Sequence, residues 1–395
     1  MEGDFIKINS GLLPLSWFYG CIVGLRNFLF DVGVLKSRSF SVPVISVGNI
    51  TVGGTGKTPH VEYLVRLLKD QNHVAVLSRG YKRKSSGFVL ASGQSSVADI
   101  GDEPLQMKRK FPDITIAVDN KRVRGIEKLT EHDRSVDVIL LDDAFQHRYV
   151  KPGVNILLVD YHRLIIYDKL LPAGRLREPL KGKNRADIVI VTKCPKTLKP
   201  MEFRVITKAM NLYPYQKLFF TTLSYGALNA IYKKGTREWS ELHDDEHLLL
   251  LTGIASPRQL IEDLATLVPA PATLSERLTR LTFPDHHNFT PKDVNWLNET
   301  FAAMPSPKCI ITTEKDAARL VGIEGLSNEV RENLYAIPVN IQFMLEQTEI
   351  FNEKIIGYVR KNSRNSILAK AKDDNQSKDS NRSGNRSRTI SFRDN

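Results

Sequence analysis

Thr51–Thr58 read TVGGTGKT, placed between a short β-branched run and an amphipathic helical pattern. Glycines in such a loop let backbone N–H groups approach phosphate oxygens, and the N-terminus of the next helix adds a favourable dipole. Thr51, Val52, Gly53, Gly54, Thr55 and Gly56 therefore form a candidate phosphate cradle. Lys57 reaches the β- and γ-phosphates of a nucleotide, and the Thr58 hydroxyl can hold Mg²⁺. One position departs from the usual pattern: Thr51 stands where a glycine is expected.

Asp142 and Asp143 end an apolar run, Val136–Leu141, and continue as DDAFQHR. An aspartate at the carboxyl end of a buried strand is where a phosphate-loop protein holds its magnesium. Gln146, His147 and Arg148 follow on the same short segment, beside a strand end where ligands bind in open α/β sheets. Asp102, in GDEP, is a candidate general base, because a hydroxyl must lose its proton as it attacks a γ-phosphate. Read alone, GDEP is more readily an acidic turn before a proline. LPAGRLREPL carries Arg175 and Arg177, suited to bidentate phosphate contact, with Glu178 able to orient a guanidinium. FPDHHNF offers His286 for proton transfer near a carboxylate rather than as a metal ligand, since adjacent histidines diverge on most backbones. SRGYKRK places Arg79 and Lys82 on a basic loop that would suit an anionic lipid.

The elements that must position these residues are short and apolar. Val42–Val47, Val74–Leu77, Ile114–Val118, Val136–Leu141, Val154–Val159 and Ile188–Val191 read as buried strands. They alternate with helical patterns, the first carrying Val61, Leu64, Val65 and Leu68. That alternation predicts an α/β fold: a phosphate-loop NTPase-like, doubly wound, mostly parallel sheet. A second, smaller α/β domain is predicted from strands at His247–Thr252 and Lys308–Thr312, with a β-hairpin linker ahead of it. The expected organisation is an N-terminal helix over 1–35, a nucleotide domain over 36–218, a linker over 219–240, a second domain over 241–360, and a disordered basic tail over 361–395.

The N-terminal run GLLPLSWFYGCIVGLRNFLF is broken by Pro14 and Arg26 and is followed by no small-residue cleavage site, so it is not read as a secretory signal. It fits a helix lying in a membrane interface, with Trp17 and Tyr19 at headgroup level and Arg26 near phosphates. Net charge is +12, about half of it in the tail, where ten Lys/Arg stand against four Asp/Glu from Arg360 onward. The remainder suits phosphate-bearing or membrane partners, and no basic–aromatic reader pattern points to nucleic acid. Three scattered cysteines give no disulfide framework or zinc site.

Taken together and in this order, SVGNITVGGTGKTP, SRGYKRK, GDEP, DDAFQHR, LLPAGRLREPL, FPDHHNF and TTEKDAARL resemble the motifs of the tetraacyldisaccharide 4'-kinase family, from about Leu12 to about Tyr358. The resemblance implies ATP and Mg²⁺ as cofactors and transfer of the γ-phosphate to the 4'-hydroxyl of a tetraacylated glucosamine disaccharide 1-phosphate. It also implies peripheral attachment to the cytoplasmic face of the inner membrane in a Gram-negative cell, with no obligate protein partner. By resemblance, Asp102 is the base and His286 its partner across the cleft. Asp142 and Asp143 are the acidic pair at the metal, and Arg177 lies near the transferring phosphate. Glu103, Gln146 and His147 are supporting polar residues. Three other classes compete: a membrane-associated ATPase switch, a kinase of soluble substrates, and a nucleic-acid-dependent ATPase. Val52 stands where such a switch carries a second lysine, the aromatic N-terminal helix argues against a soluble substrate, and only net charge supports the third.

Overall fold

The computed structural model describes residues 8–254, 258–285 and 287–363. His286 and nearly all of the predicted tail lie outside them. The first long helix, α1 (Leu13–Asp31), precedes the sheet. Strand β1 (Val44–Gly48) leads into helix α2 (Lys57–Leu68). Next come β2 (Val74–Ser78), β3 (Val89–Leu90), α3 (Val97–Ile100), α4 (Asp102–Lys110), β4 (Thr115–Val118), α5 (Arg122–His132), β5 (Val138–Asp142) and β6 (Val154–Asp160). β7 (Ile188–Thr192), α6 (Pro200–Met210) and β8 (Lys217–Tyr225) complete the first crossing of the sheet.

The chain then builds a second sheet from β9 (Leu228–Ala230), β10 (Thr236–Arg237), β11 (His247–Thr252), α7 (Arg258–Leu267), α8 (Leu274–Arg277), β12 (Leu278–Thr282) and α9 (Pro291–Ala302). It continues through β13 (Lys308–Thr313), α10 (Glu314–Leu320), α11 (Asn328–Asn333) and β14 (Leu334–Ile337). β15 (Val339–Phe343) and a last helix, α12 (348–363), follow.

The larger sheet has nine strands in the order β15-β8-β7-β6-β1-β5-β2-β4-β3, and the smaller has six, β10-β9-β14-β13-β11-β12. β1, β2 and β4–β8 run parallel, while β3 and β15 are antiparallel edges. The parallel strands are buried on both faces, which is why they read as continuous apolar runs instead of alternating ones.

Two stretches differ from the sequence expectation. The linker expected as a hairpin over 219–240 divides. β8 is a long strand of the larger sheet, and only β9 and β10 form a local antiparallel pair, in the smaller sheet. The strands that join the two sheets are β8 and β15, paired antiparallel although far apart in sequence. Residues from Val339 onward, expected with the second domain, belong to the core of the larger sheet. Phe351, Ile355 and Val359, one face of α12, pack among Ile45, Val47, Ile156 and Phe219. Each such side chain contributes roughly 1.5–3 kcal/mol on burial, which local sequence registers as amphipathicity without saying which core receives it.

Candidate active site

Register brings the site together. Val47 of β1 pairs with Asp142 of β5, so the loop leaving β1 and the acidic strand end emerge side by side at the carboxyl edge. A Cβ on Gly48 would stand 2.7 Å from the Phe145 amide nitrogen, so only glycine lets the DDAF turn close over β1. Asp143 takes the left-handed conformation at φ 47°, which aspartate tolerates better than most residues. The turn leaves Asp142 under the sheet edge and brings Asp143 to the loop lysine, with Lys57 Nζ 3.7 Å and Arg177 Nη2 3.4 Å from Asp143 Oδ1.

The phosphate loop is braced from three sides. Beneath it, buried Asn49 donates from Nδ2 to Thr55 Oγ1 at 2.9 Å and accepts from Arg177 Nη2 at its Oδ1. On one flank, Val52 N donates to Arg175 O at 2.9 Å, and Thr51 bridges Leu176. On the other, Thr192 Oγ1 donates to Thr55 O at 3.0 Å, and Lys193 Nζ donates to Gly54 O while pairing with Asp160 at 2.8 Å. Asn49, Asp160, Thr192 and Lys193 were not singled out from sequence. The polar end of the run IVIVTK was the available signal, because strand ends at this edge carry the ligand contacts.

The two aspartates are electrostatically distinct. Burial, then Asp143 and Glu103, push the Asp142 carboxyl up to about 6, against Lys57 and the Ser78 hydroxyl that donates to Oδ2 at 3.1 Å. For Asp143 burial also acts upward, but Lys57, Arg177 and Arg122 together outweigh it and hold the group below the usual carboxylate range. Asp142 Oδ1 is buried with no hydrogen-bond donor. An orphaned carboxylate oxygen beside Asp143 and Glu103 fits a divalent cation, and the Thr58 hydroxyl, on the first turn of α2, would supply a second protein ligand. Among the described residues no group of three or more His, Cys, Asp or Glu could hold a metal.

Asp102 opens α4 and is almost fully buried. Gly101 before it has φ 89°, and a Cβ there would meet Tyr81 O at 2.9 Å, so the SRGY loop dictates the glycine of GDEP. Asp102 Oδ2 accepts from Arg319 Nε at 3.1 Å and Nη2 at 2.5 Å, an ion pair from α10 of the smaller sheet. An open cleft of about 820 Å³ runs between the two sheets. It is lined by the phosphate loop, Glu103, Asp160 and Lys193 on one side and by Arg258, Asp285, Glu314 and Lys315 on the other.

The remaining sequence candidates sit as follows. His147 is held by its Nε2 at Asn120 O, 3.1 Å, and burial followed by the Arg122 charge lowers its pKa. Gln146 offers its backbone carbonyl to Arg26 at 3.3 Å. Arg79 and Lys82 are exposed on the loop after β2, with Lys82 at φ 59°. Glu178 pairs with Arg185 at 2.8 Å, so the guanidinium it orients is that of Arg185. Arg148 donates to Asn27 O at 2.8 Å and pairs with Asp31 at 2.6 Å, so it anchors α1.

Helix α1 lies on the 170–178 segment that braces the phosphate loop. Ser16 Oγ donates to Leu170 O and Tyr19 Oη to Arg177 O, at 2.9 and 2.8 Å. Tyr19 and Arg26, expected at headgroup level and near phosphates respectively, each donate to a backbone carbonyl of the protein. Leu15, Trp17, Phe18, Ile22, Leu25 and Phe28 are exposed on the outer side.

Three comparisons relate the chain to known proteins. Residues 8–359 match the family profile of tetraacyldisaccharide-1-P 4'-kinase. The chain is 57% identical over 370 residues to the tetraacyldisaccharide 4'-kinase of Phocaeicola vulgatus, covering 93% of this chain and 99% of that relative. It is 50% identical over 387 residues to the enzyme of the same name from Bacteroides thetaiotaomicron, covering 95% and 100%. The crystal structure of LpxK from Aquifex aeolicus in complex with ATP superposes with a TM-score of 0.67 at 32% identity, over 89% of this chain and 98% of that one. An α/β phosphate-loop architecture, an acidic pair beside the loop lysine and near-complete coverage by these relatives establish that the chain belongs to the tetraacyldisaccharide-1-P 4'-kinase family.

Proposed function

We infer that the protein transfers the γ-phosphate of ATP to the 4'-hydroxyl of a tetraacyldisaccharide 1-phosphate, giving the bis-phosphorylated lipid A precursor. The observation that carries the reading is the convergence of Lys57, Arg177 and the Asp142–Asp143 pair at the mouth of a braced phosphate loop. Backbone amides of residues 53–58 cradle the phosphates, and Lys57 neutralises charge on the γ-phosphoryl oxygens. Arg177, tied to Asn49 and Asp143, presents its guanidinium where that charge develops. Mg²⁺ held by Thr58 and Asp142 would neutralise charge on the β- and γ-oxygens. Asp102 takes the proton of the attacking hydroxyl, with His286 as its partner by the family resemblance. Glu103, Gln146 and His147 support the acceptor end, and Arg79 and Lys82 on the SRGYKRK loop attract the anionic lipid.

We place the enzyme peripherally on the cytoplasmic face of the inner membrane. The segment Ser10–Asp31 is long and apolar enough to cross a membrane by length and composition, with 6% of its apolar window buried. Its inner face is hydrogen-bonded to the protein and its outer face is a row of Leu, Trp, Phe and Ile, the pattern of a helix lying in the interface. Because α1 rests on the segment carrying Arg177, a substrate whose acyl chains stay in the bilayer is presented next to the phosphate site.

The test is transfer of labelled γ-phosphate to the lipid disaccharide 1-phosphate in mixed micelles, with and without Mg²⁺. Metal-dependent label on the lipid is expected. Lys57→Ala should lower turnover by about 10²-fold or more, and Asp102→Ala should lower kcat by about 10²–10⁴-fold with little change in ATP binding. ATP hydrolysis without lipid labelling would refute the reading.

A further inference from the structure

We propose that Arg319, on α10 of the smaller sheet, is a positioning residue for phosphoryl transfer, holding the Asp102 carboxylate in the orientation from which it accepts the hydroxyl proton. The inference rests on the reading of Asp102 as base. Arg319 places Nε and Nη2 on the same oxygen, Asp102 Oδ2, at 3.1 and 2.5 Å. Its remaining edge is locked, with Nη1 donating to Asp316 Oδ1 at 3.1 Å. Asp316 is itself immobilised: its Oδ2 accepts from Gly253 N at 2.9 Å and Thr313 Oγ1 at 2.8 Å, and it has no exposed surface.

A planar fork held at one end by an anchored carboxylate presents its other edge in a single direction. Arginine does not give up its proton in this pH range, so the pair leaves the accepting role with Asp102. Docking of α4 on α10 is already provided further along α4, by Lys110–Glu314 at 2.7 Å and by Arg109 Nη1 to Ala318 O at 3.2 Å. The Arg319 contact falls instead at the first residue of α4, next to Glu103 and the cleft. It makes seating of the smaller unit and orientation of the proton acceptor one event, and gives the TTEKDAAR segment a role: Thr313 and Asp316 aim Arg319.

The experiment is steady-state kinetics on ATP and the lipid disaccharide 1-phosphate for Arg319→Lys, Arg319→Ala, Asp102→Ala and the Arg319→Ala/Asp102→Ala double variant, with thermal unfolding of each. Misplacing a reacting group by about 1 Å can cost about 10²-fold. Arg319→Ala should lose about that much kcat, and Arg319→Lys, which keeps charge without the fork, about 10-fold, both with KM for ATP unchanged. The double variant should be no slower than Asp102→Ala, because the proposed effect of Arg319 on kcat passes through that carboxylate. Wild-type kcat in Arg319→Lys overturns the inference, as does a double variant whose loss is the product of the two singles. If Arg319→Ala does not fold, Arg319→Lys still decides. Full kcat in Asp102→Ala overturns the base assignment itself, a result distinct from failure of Arg319 alone.

Discussion

His60, three residues beyond the loop lysine, shows how the site is built one side chain at a time. Its Nδ1 lies 2.7 Å from Gly56 O and its Nε2 3.1 Å from Thr221 Oγ1, tying the loop's last turn to β8. Burial lowers its pKa to about 4, with the Gly56 carbonyl acting weakly the other way. Between pH 6.5 and 4 the unfolded chain takes up this proton and the folded one does not, so folding stability falls as pH falls through that window. The loss is on the order of 3 kcal/mol at most. Urea midpoints measured at pH 7.5 and pH 5 should differ more for the wild type than for His60→Gln, and equal slopes would exclude His60 as the group responsible. The loop was readable from TVGGTGKT because its chemistry is local. Arg319 was not, since Asp102 stands 217 positions away.

Helix α1 joins surface to site at the scale of an element. Its inner contacts are a few polar anchors, while Trp17 is 73% exposed and Phe18 and Leu25 are each 61% exposed. Replacing all three by serine removes little buried surface, so the thermal midpoint should stay close to that of the wild type. Binding to anionic vesicles should fall by 10-fold or more, at about 25 cal/mol per Å² of apolar area returned to water. Co-sedimentation with vesicles reads this directly, and unchanged binding would place the membrane contact elsewhere. The composition of α1 predicted an apolar helix, but its rotation about its axis did not follow from composition. That was decided by carbonyls of residues 146, 170 and 177, which accept from Arg26, Ser16 and Tyr19.

Across the whole molecule, the two sheets meet through charge. Lys110 Nζ lies 2.7 Å from both Glu62 Oε2 on α2 and Glu314 Oε1 on α10. Glu62 is almost fully buried, and burial raises its pKa, offset in part by Lys110 and reinforced by Glu314. Lys110→Met leaves that carboxylate with only the more distant Arg66, Nη1 3.7 Å away, and should cost about 3 kcal/mol near pH 8. At low pH both folded and unfolded chains carry Glu62 protonated, so the cost should shrink toward pH 4.5 and grow as pH rises above it. Denaturant titrations of both proteins at pH 5 and pH 8 measure it, and a pH-independent difference would remove Glu62 from the explanation.

The sequence by itself determined the nucleotide chemistry, the parallel sheet and the amphipathic first helix. Each of these depends on residues within one strand–loop–helix unit, where period and spacing are physical constraints. Tertiary structure alone decided which distant groups touch one another. Lys193 under Gly54, Arg177 on Asn49 and Arg319 on Asp102 are contacts between separate elements. It also decided that α12 returns to the first core, because an apolar face specifies burial but not the partner that supplies it.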